Sequence, residues 1–130
     1  MKSNKDCVVF VGDSPSPKNV RGDIAFVGAS CFNRLTEWIS FISPRYYVCY
    51  NSDTVTDLLR IIALEEAGFT IVALGQVAST RLQDQNISHY GLPHPSGLNR
   101  LNNDQEYINR QLTFIKNAIN GGQNAQITNP

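Results

Sequence analysis

The sequence predicts an α/β fold of three layers, with a central, mainly parallel four-stranded sheet flanked by helices. Three observations predict it. Short, mainly apolar runs recur at 8–11, 46–50 and 69–74, a shorter strand-like segment follows at 87–90, and stretches with helical spacing stand between them. Apolar runs without polar alternation belong to strands covered on both faces, as strands of parallel sheets are. A strand–helix–strand rhythm then calls for crossover helices, which pack on the faces of the sheet.

The elements follow in order. Val8-Val9-Phe10-Val11 is a buried strand that ends in Gly12-Asp13. The segment 14–22 holds Pro15 and Pro17 and reads as loop, and 24–27 is a short apolar run closed by Gly28. Leu35, Trp38, Ile39 and Ile42 have helical spacing, with Asn33 as cap and Pro44 as stop; Trp38 belongs to the core. Tyr46 to Tyr50 forms the second strand and ends in Asn51. A helix is expected to open at Ser52 or Asp53 and run to Ala67, with Val55, Leu58, Leu59, Ile62 and Leu64 on its buried side and Gly68 as stop. The third strand, 69–74, ends in Gly75, and a short helix covers 76–83. The fourth strand is placed at 87–90. A closing helix opens at Asn103 or Asp104 and buries Ile108, Leu112, Ile115 and Ile119. Residues 1–120 thus read as one domain and 121–130 as a polar tail.

Composition narrows the function classes. Eleven basic and eleven acidic residues give zero net charge, which argues against electrostatic adhesion to long stretches of nucleic acid but leaves room for local phosphate contacts. The three cysteines, Cys7, Cys31 and Cys49, form no C-x-x-C pair, so neither a disulfide framework nor a zinc or iron–sulfur site is expected. No apolar run has transmembrane length and 1–6 is polar, so no membrane partner and a cytoplasmic location are expected.

The residues that carry chemistry gather by topology. In parallel α/β sheets, ligands bind beyond the carboxyl ends of the strands. Asp13 and Ser14 follow the first strand, Asn51 the second, Gly75 the third and His94 the fourth. Asp13 reads either as a turn-forming aspartate or as a carboxylate that orients water and stabilises positive charge on a sugar. Asn51 reads either as a neighbour of a helix cap or as an amide that pairs with a pyrimidine edge. His94 sits between Pro93 and Pro95, which stiffen its backbone; a neutral imidazole there can donate to a leaving base that gains negative charge. His89 lacks such a setting and is expected to be strand-associated only. No Walker loop, G-x-G-x-x-G or nucleophile elbow is present.

Two loops resemble signature motifs of the uracil-DNA glycosylase superfamily. Gly12-Asp13-Ser14-Pro15-Ser16 is similar to its Gly-x-x-Pro loop, and His94-Pro95-Ser96-Gly97-Leu98-Asn99-Arg100 to its second motif. Ile24-Ala25-Phe26-Val27-Gly28 resembles the Pro-Phe-Val-Gly segment of the thermophile-type branch, and the Gly97-Leu98 pair resembles the mismatch-specific branch. The resemblance spans about residues 7–119.

It implies a uracil-DNA glycosylase-like domain that hydrolyses the N-glycosidic bond of flipped uracil, or a related pyrimidine, in single- or double-stranded DNA. By the same likeness Asp13 and His94 are catalytic, and Phe26, Asn51 and Ser14 bind the base. Ser16, Ser96, Gly97, Leu98 and Arg100 contact DNA, with Leu98 as the wedge that fills the vacated stack. Lys18 and Arg21 are further phosphate candidates. No metal or cofactor is implied, and a monomer is expected. The chain is short for the superfamily, which suggests a minimal member, and for a viral chain the host cytoplasm would be the location. It carries Asp13 where the thermophile-type branch has a glutamate, and Ser16 where the main branch has a tyrosine. Two alternatives stay open. One is a catalytically weak or inactive superfamily member that acts as a nucleic-acid- or base-binding module. The other is a flavodoxin-like nucleotide-binding domain unrelated to DNA.

Overall fold

A computed structural model of the chain describes residues 4–13, 32–93 and 105–120. Eight elements alternate along these residues: β1 (Cys7–Gly12), α1 (Phe32–Ile42), β2 (Tyr46–Asn51), α2 (Val55–Glu66), β3 (Thr70–Leu74), α3 (Gln76–Asp84), β4 (Tyr90–Leu92) and α4 (Gln105–Ile119). The strands form one sheet in the order β2-β1-β3-β4, and every pairing is parallel.

Strand β1 lies inside the sheet, and its uninterrupted apolar run has a physical reason. Val8, Val9, Phe10 and Val11 are all fully buried, because a different helix layer covers each face. Val8 and Phe10 pack with Leu35, Trp38 and Ile42 of α1 and with Ile108, Leu112, Ile115 and Ile119 of α4. Val9 and Val11 face the other way, toward Ile61 of α2 and Ala78 and Leu82 of α3. The alternation of strand side chains thus sorts β1 into two cores. Chirality explains which helix goes where. The β1-to-β2 crossover travels one way across the sheet, and the next two travel the other way. Right-handed connections therefore put α1 on one face and α2 and α3 on the opposite one.

Three details depart from the sequence reading. Helix α2 opens later than Ser52 or Asp53: it begins at Val55 and Thr54 is its cap, with the Thr54 hydroxyl accepting from Asp57 N–H at 3.1 Å. Ser52 is unavailable as a cap because both its amide and its hydroxyl donate to the Gly12 carbonyl, each at 2.8 Å. The buried face of α2 is also rotated. Ile61 is completely buried and Leu58, Ile62 and Leu64 pack beside it, while Val55 and Leu59 stand 72% and 60% exposed. The fourth strand lies at Tyr90–Leu92 rather than 87–90. Ile87 is buried by packing among Leu82 and its neighbours, not by pairing in the ladder.

Other expectations hold. Helix α2 ends where Gly68 takes φ +96°, and Phe69 N–H and Gly68 N–H donate back to Leu64 and Glu65, the paired closure that a left-handed glycine permits. Cys7 is buried and Cys49 half-buried, as small apolar residues of strands. Among the described residues, no helix is long and apolar enough to cross a membrane.

Candidate functional site

The strand order defines where a ligand would sit. The chain leaves β1 toward β2 and leaves β3 toward β4, so the connections diverge between β1 and β3. At such a switch point a crevice opens beyond the carboxyl ends of the strands. Gly12 and Asp13, Asn51 and Ser52, Gly75, and Leu92 and Pro93 stand on this rim. The chain also leaves β1 at Asp13 and β4 at Pro93 there.

Asp13 and Asn51 come from distant parts of the sequence, and the register places their backbones at neighbouring positions. Gly12 pairs with Asn51 across β1 and β2, neighbouring strands about 4.8 Å apart. Asp13 is half-buried one residue beyond that pair. Asn51 is only 6% exposed, and its side-chain Oδ1 is fully buried with no hydrogen-bond partner among the described residues. An orphaned buried acceptor costs roughly 1–3 kcal/mol, so native structures satisfy nearly all of them. Where one persists at a ligand-binding rim, an N–H donor from outside the protein is the natural partner. Asn51 follows Cys49 in the alternation of β2, and Cys49 packs against the core that holds α1 and α4.

The other side of the rim is closed by a residue that the motif reading passed over. Arg81 of α3 reaches across the strand ends, and its Nη1 donates to the Asp13 carbonyl at 2.7 Å and to the Ser52 hydroxyl at 3.2 Å. Ser52, 2% exposed, passes the connection on to Gly12 through its own two donations. Arg81 makes no ion pair with a carboxylate among the described residues. One sequence signal points to it. Arg81 lies three residues after Ala78 and directly before Leu82, both completely buried, so a cation is carried at the margin of the inward face of a helix.

His89 precedes β4 and is more engaged than a bystander. Its Nδ1–H donates to the Ile87 carbonyl at 2.8 Å, which leaves Nε2 to accept from the Ser79 hydroxyl at 2.8 Å. This ties the loop before β4 to α3, within the layer that also holds Arg81.

The remaining sequence candidates, Ser14, Ser16, Lys18, Arg21, Phe26, His94, Ser96, Gly97, Leu98 and Arg100, lie outside the described residues. Among the described residues, no group of three or more His, Cys, Asp or Glu side chains could hold a metal ion. One concavity among the described residues, about 860 Å³, is an open surface along α4 lined by Gln105, Arg110 and Phe114. No known protein family, curated protein or solved structure matches the chain.

Proposed function

We propose that the chain is a uracil-DNA glycosylase-like enzyme that excises uracil, or a related pyrimidine, from DNA. One observation carries this reading: the buried amide oxygen of Asn51 at the carboxyl end of β2, without a partner among the described residues and in register with the residue that precedes Asp13. Uracil presents an N–H donor flanked by carbonyl acceptors, so one amide can meet its edge with both an acceptor and a donor. Oδ1 takes the ring N–H, and the amide nitrogen of the same side chain donates to the neighbouring carbonyl. The motif resemblance of the 12–16 and 94–100 segments, and a parallel sheet whose β1 and β4 deliver the chain to the same rim, support the same reading.

The chemistry follows from the residues. A base must leave the stack before an enzyme can reach its glycosidic bond; extrusion costs a few kcal/mol, and least in single strands or mispairs. Stacking on Phe26 and wedging by Leu98 offset that cost. As the C1′–N1 bond breaks, the sugar gains oxocarbenium character and the pyrimidine gains negative charge. Asp13 stabilises the sugar and orients the attacking water, and His94 donates to the base carbonyl that accumulates charge. Arg100, Ser96 and Ser16 hold phosphates, and Ser14 lies against the base.

The same amide favours a second reading, because an orphaned acceptor needs a base to bind and not a bond to break. That reading is a base- or nucleic-acid-binding module with weak or no catalysis. A uracil-containing oligonucleotide separates the two. The enzyme gives alkali-labile cleavage that Asp13→Ala abolishes while binding persists. The module binds without cleavage. If the wild-type chain neither binds nor cleaves, both readings fall.

A further inference from the structure

We infer that Arg81 is a positioning residue for this site: it fixes the exit of β1, and through it the heading of Asp13, by gripping the Asp13 carbonyl and the Ser52 hydroxyl with one guanidinium nitrogen. The inference rests on the reading of Asp13 as the carboxylate that faces the reacting sugar.

The geometry is a short polar chain across three elements. From α3, Arg81 Nη1 donates at 2.7 Å to the Asp13 carbonyl, 68 residues away, and at 3.2 Å to Ser52 Oγ, 29 residues away. Ser52, just past β2, donates its hydroxyl and its amide to the carbonyl of Gly12, the last residue of β1. Consecutive carbonyls, those of Gly12 and Asp13, are therefore both held. Each fixes one peptide plane, and the two planes flank the Cα of Asp13. The backbone of that residue is thus defined from both sides where the strand ladder has ended, and only the side-chain torsions remain to aim the carboxylate.

A structural tie between a helix and a strand end does not require a cation. Here the cation is half-buried on neutral acceptors, without a carboxylate partner among the described residues, and it grips the backbone of Asp13 itself and Ser52, the neighbour of Asn51. Both bonds come from Nη1, whose N–H groups are fixed in the guanidinium plane, whereas the donors of a lysine ammonium rotate on a flexible stem. Asn51 receives no hydrogen bond from Arg81, so base recognition is expected to survive its loss.

The test uses the full chain with three substitutions, Arg81→Met, Arg81→Lys and Ser52→Ala, each checked for folding by thermal melting. Arg81→Met keeps an unbranched apolar stem and removes the donors. On a uracil oligonucleotide, Arg81→Met is expected to lower kcat by about 10- to 100-fold with KM changed by less than about 3-fold, the pattern of a misaimed group rather than a lost binding contact. Arg81→Lys is expected to recover part of the loss, and Ser52→Ala to fall between them.

A second readout is independent of activity: the carbonyl 13C resonance of Asp13 shifts in Arg81→Met while the Asn51 side-chain amide resonances stay in place. Unchanged kcat in folded Arg81→Met overturns the inference, and so does a raised KM with normal kcat, which would make Arg81 a DNA contact. An inactive wild-type protein instead ends the glycosylase reading. In that case an unmoved Asp13 resonance also overturns the positioning role, and a moved one leaves Arg81 as the brace of a non-catalytic rim.

Discussion

Replacing Asn51 by leucine separates function from stability, because the two should move in opposite directions. The side chains branch alike, although leucine is the bulkier, and the position is 6% exposed at the end of a strand, where the rim leaves room for it. In the folded protein Oδ1 has lost contact with solvent and gains no partner among the described residues. That loss costs about 1–3 kcal/mol, and the leucine does not incur it. Part of the gain is offset, since the amide nitrogen gives up whatever hydration it keeps at the rim. The expected net stabilisation is about 1–2 kcal/mol. A domain of this size gains about 4 °C per kcal/mol, so the melting temperature should rise by about 4–8 °C. Base release should fall about 100-fold, equivalent to roughly 3 kcal/mol of lost transition-state binding. Circular dichroism melts and single-turnover cleavage of a uracil oligonucleotide measure the pair. Free uracil at 100 times its Kd should stabilise the wild-type protein by about 2.7 kcal/mol and leave the variant unmoved. A melting temperature that drops by several degrees in Asn51→Leu would show that the amide serves the fold, and the site argument would fail with it.

Further expectations concern the body of the domain. Phe10→Ala, in a completely buried position of β1, should cost about 3–5 kcal/mol in urea unfolding; a cost under about 1 kcal/mol would mean that the sheet is not packed on both faces. Burial pushes the Cys49 thiol up to about 12, so iodoacetamide at pH 8.5 should spare it in the native protein and modify it in guanidinium, as peptide mass mapping would read. At the amino-terminal edge of the sheet, the Arg45 guanidinium 3.0 Å from Asp6 holds the Asp6 carboxyl below its ordinary value. The stability that this pair supplies is present above the unfolded-state value of about 3.9 and lost as pH falls through the lower folded-state value. Arg45→Ala should therefore differ from wild type in urea melts at pH 7 and converge with it toward pH 3, the gap remaining small because both side chains are exposed.

The sheet was legible because its strands carry almost nothing but apolar residues. A run such as Val8 to Val11 can be buried on both faces only between two layers, and the helix periods on either side supply those layers. Helix α2 was harder. Val55, Leu58, Leu59 and Ile62 make one acceptable stripe, and Leu58, Ile61 and Ile62 make another a fraction of a turn away. Tertiary packing over the sheet selects the second, and period alone cannot. Strand β4 was displaced for a related reason. Ile87 is apolar and buried, yet it packs under α3, while Gly91, a weak strand former, pairs with Ala73 because the ladder runs there. In the site, Asp13 and Asn51 were legible as polar residues that end apolar runs. Arg81 was not, because its role depends on a reach of 68 residues that no local pattern encodes.

The two edges of the sheet are built to different ends. At the amino-terminal edge polar groups find one another: Arg45 pairs with Asp6, the Thr70 hydroxyl donates to the Lys5 carbonyl at 2.7 Å, and the Asn4 side chain donates to the Ala67 carbonyl at 2.7 Å. These bonds close strand starts and a helix end, as stability demands. At the carboxyl edge Arg81 and Ser52 hold backbone firmly, yet they stop short of Asn51, whose acceptor is buried with no partner among the described residues. A sheet selected for stability alone would pair that oxygen or replace the residue. Rigid backbone around an unsatisfied side chain is what a preorganised recognition site requires, since the frame then need not reorganise when a ligand supplies the missing donor. If Asn51→Leu raises the melting temperature and Arg81→Met lowers kcat at constant KM, the two roles are separated at neighbouring residues. One measures what recognition costs the fold, and the other what the fold contributes to alignment.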